Sequence, residues 1–138
     1  MEKITKPWGY YQTIHDDNGY KVKIISVNPK QRLSLQSHNH REEHWVITKG
    51  TGKVQVNNDI HTVKNSDYIF VPLKAKHRIE NIGNEVLEFV ETQIGDYLGE
   101  DDIIRYEDDY GRIKKKTFLN KFIDFFNNYN NSEVFLLD

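Results

Sequence analysis

Cysteine is absent from the 138 residues. That excludes a disulfide framework and any thiolate metal centre, and is compatible with a reducing compartment. Neither sign of charge dominates: 19 basic side chains face 21 acidic ones, for a net charge of −2. Such a balance gives no electrostatic case for nucleic acid or an anionic membrane as partner. No apolar run approaches the roughly 20 residues a membrane helix needs. The opening MEKITKPWGYYQ has no apolar segment of signal-peptide type, so a soluble cytoplasmic protein is the expectation. Internal repeats and a glycine-rich nucleotide loop are also missing. The length suits one domain with one core.

What is present is a series of short alternating segments punctuated by turn residues. HDDNG (15–19) joins two such segments between Thr13 and Val27, and Pro29 ends the second. In that hairpin Tyr20, Val22 and Ile24 alternate with Lys21 and Lys23. Asn57–Asp59 joins Lys53–Val56 to Ile60–Val63, and Pro72 stops Tyr68–Val71. Val86–Gln93 alternates, with Leu87, Phe89, Glu91 and Gln93 sharing a side. Short strands at this spacing predict an all-β barrel or sandwich. Ahead of them, Pro7 and Gly9 bracket Trp8 in an N-terminal arm. Beyond Arg112 the pattern changes to apolar positions three and four apart through Thr117–Phe126, which predicts an amphipathic helix. The division expected is a barrel with its arm over 1–112 and a helical extension over 113–138.

The chemistry concentrates in RLSLQSHNHREEHWVITKG (32–50), which carries three of the six histidines. Strand alternation puts Ser34, Gln36, His38 and His40 on one face, opposite Leu33 and Leu35. REE (41–43) is expected as the turn into the next strand. Imidazoles and carboxylates that meet in a dry cavity bind divalent metals. The spacing admits two registers. With His38 and His40 as a His-x-His pair, two residues precede Glu43. With Gln36 and His38 as the pair, five residues separate Lys30 from Gln36, four separate His38 from Glu43, and six separate Glu43 from Gly50. Downstream, Ser66, Pro72, Lys74, His77 and Asn81 form a second spaced set.

In the second register both sets resemble the two motifs of the cupins, with Lys30, Ser66 and Lys74 at positions where those motifs carry glycine. The resemblance implies a double-stranded β-helix, or jelly-roll, barrel. It also implies a single divalent ion on Gln36, His38, Glu43 and His77, with zinc first and manganese, iron, cobalt or nickel open. PWGYY, LSLQSHNHREEHWVITKG, HRIEN and YLGEDDIIRYEDDYGR together resemble the type II mannose-6-phosphate isomerases over about residues 6–112. That implies interconversion of mannose 6-phosphate and fructose 6-phosphate through an enediolate, in the supply of GDP-mannose, by an isomerase module working with a separate guanylyltransferase. A homodimer is implied by the cupin resemblance. His40, Glu91 and Arg105 are the expected catalytic groups, His40 being open between fifth ligand, base and sugar contact. Arg41, Glu100, Asp101 and Trp8 are the expected substrate contacts, and either Arg41 or Arg105 is expected to grip the phosphate. The rival readings are a cupin epimerase or ketoisomerase on a nucleotide-linked sugar, and a sugar-binding module without turnover.

Overall fold

The computed structural model describes residues 1–113 together with Phe125 and Phe126. The expected helical extension therefore lies, but for those two residues, outside the described part. Eleven strands make the fold: β1 (Lys3–Lys6), β2 (Gly9–Asp17), β3 (Tyr20–Val27), β4 (Leu35–Ser37), β5 (Arg41–Lys49), β6 (Thr51–Val56), β7 (Asp59–Lys64), β8 (Tyr68–Val71), β9 (His77–Asn81), β10 (Leu87–Gly95) and β11 (Ile104–Glu107). They form two antiparallel sheets, ordered β1-β2-β3-β10-β5-β8 and β11-β4-β9-β6-β7. No helix among the described residues is long and apolar enough to cross a membrane.

Period-two alternation sets which side chains enter the barrel. On β10, Leu87, Phe89, Glu91 and Gln93 are buried, and the residues between them are less so. On β5, Arg41, Glu43, Trp45 and Ile47 are buried in the same rhythm. The inward row of each strand is apolar at one end and polar at the other. Antiparallel register brings the polar ends to one level: Phe89 lies across from Ile47 and Ile25, Glu91 from Trp45 and Lys23, and Gln93 from Glu43. In the second sheet Ile79 pairs with Val54, and His77 with Gln36. The apolar half closes into a core that includes Trp8, Ile25, Val27, Trp45, Ile47, Val54, Ile79, Leu87 and Phe89. Each large side chain there is worth about 1.5–3 kcal/mol of burial. The polar half is left to build a site above that floor.

Two local expectations are corrected. Lys23, not Ile24, shares the inward face with Ile25 and Val27, and it is 3% exposed. REE is not a turn: Arg41 already begins β5, and the chain turns at Asn39 and His40. β4 and β5 accordingly lie in different sheets rather than side by side.

The turn geometry bears on the motif register. Lys30, Ser66 and Lys74 have φ of 65°, 77° and 67°, beside Gly50 at 83°. All three residues that replace motif glycines thus keep the left-handed conformation a glycine would adopt without strain. The turns survive, and the side chains bear the conformational cost. Ser66→Gly and Lys74→Gly should therefore each raise stability in urea denaturation, by about 0.5–1 kcal/mol after the entropy cost of glycine. Lowered midpoints would show these turns to be unstrained.

Candidate metal centre and sugar site

The site is assembled at the corner where the chain passes from one sheet to the other. After β4 ends at Ser37, the N–H groups of Asn39 and His40 donate to the Asp102 carboxylate at 2.9 and 3.0 Å. The backbone carbonyl of Asp102 accepts from His38 Nδ1 at 2.6 Å. One residue thus fixes the corner and aims the imidazole. His77, at the start of β9, donates Nδ1–H to the Ala75 carbonyl at 3.0 Å. Because a carbonyl can only accept, both rings carry their proton on Nδ1. Nε2 is left with a lone pair, the arrangement metal-binding histidines use.

Both Nε2 atoms point at Glu43, which is 1% exposed. His38 Nε2 lies 3.2 Å from Oε2 and His77 Nε2 lies 3.6 Å from Oε1. One ligand atom from each of His38, Glu43 and His77 can be chosen so that all lie within 4.8 Å of one another. Burial, helped by the nearby Arg41 charge, lowers the His38 pKa to about 3, and burial lowers that of His77 to about 4. Neutral rings with free lone pairs beside a carboxylate fit a divalent ion of the zinc-to-manganese range. Gln36 sits across from His77 on the neighbouring strand. Its amide nitrogen is turned to Ser34, 3.2 Å from Oγ, which leaves its carbonyl oxygen as the atom available to a metal.

The cavity beside this cluster is lined by Gln36, Arg41, Glu43, His77, Glu91 and Arg105, with Trp8 and Glu100 also on its wall. Arg41 donates from Nε to Glu43 Oε2 at 2.8 Å, and its Nη2 lies 3.3 Å from His38 Nε2. Glu91 is held by Gln93 Nε2 at 2.8 Å. Burial first, and then the Glu43 charge, push the Glu91 pKa up to about 7. Glu100 comes in from the segment between β10 and β11 to pair with Lys23.

Two expected site residues stand elsewhere. The His40 side chain is 51% exposed and lies 3.3 Å from Asp96, edge-on to Tyr97. Strand alternation stopped at Ser37, so the His38 and His40 side chains do not share a face. Asp101 is exposed and accepts from the Tyr97 hydroxyl; of its acidic neighbours, Glu100 reaches the cavity and Asp102 the corner. Lys23 and Tyr11 were not singled out from sequence. They meet on the cavity wall, with Lys23 Nζ 4.2 Å from the ring centroid. The parity of Lys23 with Ile25 and Val27 was the available signal.

Comparison with known proteins agrees with this geometry. Residues 1–108 match the family described as Mannose-6-phosphate isomerase C-terminal. Over 111 residues the chain is 43% identical to a mannose-1-phosphate guanylyltransferase of Escherichia coli, covering 80% of this chain and 23% of that one. Over 110 residues it is 44% identical to the xanthan biosynthesis protein XanB of Xanthomonas campestris, covering 80% and 24%. The chain thus spans about a quarter of the length of these relatives. Among solved structures, an RmlC-like cupin from Shewanella frigidimarina superimposes with a TM-score of 0.64 at 18% identity, covering 72% of this chain and 86% of that one. That likeness shows the fold alone: the barrel has the cupin fold.

The buried imidazoles give the metal-free protein a pH signature. Each titrates near 6.5 in an unfolded chain but near 3 or 4 when folded. Below pH 6.5 the unfolded state binds more protons, so stability should fall as the pH drops from about 6.5 toward about 4. Urea melts of chelator-treated protein measure this slope. His38→Asn should make it shallower, and an unchanged slope would mean that His38 titrates normally.

Proposed function

The chain belongs to the mannose-6-phosphate isomerase C-terminal family, and from that premise we propose that it interconverts mannose 6-phosphate and fructose 6-phosphate with a bound divalent ion. The observation that carries this reading is one cavity lined both by Glu43 and His77 of the His38–Glu43–His77 cluster and by the buried carboxyl of Glu91. His38, Glu43 and His77, with Gln36 beside them, would hold the ion, zinc being the first candidate. Bound there, it supplies a Lewis acid for the sugar carbonyl.

The protein's own groups account for the proton movements. Isomerisation removes a proton from C2 of the open-chain aldose and delivers one to C1, while a second passes from O2 to O1. Glu91 is assigned the carbon-to-carbon transfer. Burial holds its carboxyl above the usual carboxylate range, which suits a group that must accept and then return a proton. Gln93 fixes Glu91 by its hydrogen bond to Oε2, and the Glu91 carboxyl lies on the cavity wall. Arg41, bonded to Glu43, places a permanent positive charge beside the carbons where negative charge develops. Trp8, 6% exposed, offers its ring to the apolar face of the sugar. The guanylyltransferase names of the relatives support a guanylyltransferase as the functional partner.

A coupled assay for fructose 6-phosphate formation tests the reading. Turnover should require the ion and vanish with chelator; no turnover from protein with metal bound would reject it. Glu91→Gln should lower kcat by about 10²–10⁴-fold at unchanged metal content. His77→Ala should lose metal and activity together, as read by elemental analysis of the purified variant.

A further inference from the structure

The five arginines of the chain divide unequally. Arg32 pairs with Asp109, Arg41 with Glu43, Arg78 with Glu107, and Arg112 with Asp108. The Arg105 side chain has no hydrogen bond or ion pair among the described residues; its Nε is buried without an acceptor, as are Arg41 Nη1 and Arg78 Nη2, whose guanidinium groups are otherwise paired. A buried guanidinium donor without a partner costs free energy unless a ligand supplies the acceptor.

Its position says which ligand. Arg105 on β11 lies across from Gln36 on β4, which lies across from His77 on β9. Cross-strand partners project to one face, so the three form a row that runs into the cavity from its rim. Two strand spacings put the Arg105 backbone about 10 Å from that of His77. An open six-carbon chain can bridge that interval between its carbonyl end and a group on its last carbon. Arg112 lines the same cavity, but its charge is paired with Asp108, which leaves Arg105 as the unpaired guanidinium of that wall. Arg41 also has a buried nitrogen without an acceptor, Nη1, but its Nε is engaged with Glu43 beside the cluster, and Lys23 is committed to Glu100.

We propose that Arg105 is the seat of the terminal phosphoryl group of a hexose 6-phosphate, held at the rim while C1 and C2 lie beside Glu91 and the His38–Glu43–His77 cluster. This rests on the isomerase reading and adds a selectivity to it. A guanidinium accepts phosphate through two parallel N–H donors, and its distance from the cluster selects a phosphate on the carbon farthest from the reaction. A sugar 1-phosphate carries its charge at the wrong end.

Titration calorimetry with inorganic phosphate, on metal-loaded wild type and on Arg105→Leu, tests the seat directly. Arg105→Lys and the exposed-pair variant Arg32→Gln serve as controls, with thermal melts confirming that each is folded. Arg105→Leu should bind phosphate about 10- to 100-fold more weakly, Arg105→Lys should recover part of the loss, and Arg32→Gln should match wild type. In the coupled assay, Arg105→Leu should raise KM for mannose 6-phosphate by a similar factor of about 10 to 100, with kcat nearly unchanged. Phosphate binding by Arg105→Leu equal to wild type would overturn the proposal, as would a fall in kcat at constant KM. If wild type binds phosphate through Arg105 but does not turn over mannose 6-phosphate, the anion seat stands and the isomerase reading alone fails.

Discussion

Glu43 is a carboxylate enclosed almost completely by protein, and the upper half of the barrel is arranged around making that tolerable. A carboxylate taken out of water without partners is prohibitively costly. Here Arg41 donates to one oxygen and Trp45 Nε1 to the other, at 2.8 and 3.1 Å, while His38 and His77 face it with their Nε2 atoms. Arg41 and Trp45 come from the same strand as Glu43, two residues to either side, so strand alternation alone delivers them. His77 comes from the opposite sheet, and His38 from the corner that joins the sheets. Because those Nε2 atoms carry lone pairs, an ion held between them and Glu43 would tie the two layers of the barrel at the level where their inward rows change from apolar to polar.

That level explains why a site can exist in a chain of this size without weakening the core. Trp45 belongs to both halves. Its ring packs at 4.7 Å from that of Phe89 in the floor, and its N–H reaches Glu43 above. Removing the indole would open a void below and strip a donor from a buried carboxylate above. Stability and site geometry meet in one side chain, which is the reverse of a surface site grafted onto an indifferent scaffold.

Strand alternation and turn chemistry made most of the barrel legible in the sequence. Leu87, Phe89, Glu91 and Gln93 take the face their parity assigns, and the hairpin tips fall at Asn18-Gly19 and Asn57-Asn58, where turn residues cluster. The spacing pointed to Gln36, His38, Glu43 and His77, of which His38, Glu43 and His77 come together, and the positive φ at Lys30 is what a motif glycine at that position would show. What failed was the extension of local rules past their ends. Alternation carried Gln36 correctly and His40 wrongly, because the strand stops between them. Lys23 was judged by its charge rather than by its parity with Ile25. Glu100 reaches the cavity while Asp101 does not, because an irregular segment has no period from which side-chain direction can be read.

The segment between β10 and β11 carries the last link between fold and chemistry. It touches the barrel through the Leu98 carbonyl on Lys21, through Glu100 on Lys23 and through Asp102 on the corner. Two of these contacts bear on groups of the candidate site. Lys23 is among the charges that Glu91 feels, and the Asp102 carbonyl sets the tautomer of His38. Anything that lifts the segment would free Lys23 and take away the acceptor that holds the His38 proton on Nδ1. Glu91 and His38 would then lose their tuning together, although neither lies on the segment. The acidic and aromatic stretch with no clear period in the sequence is thus an inner wall of the site, and its irregularity is what lets two of its neighbouring residues face different targets.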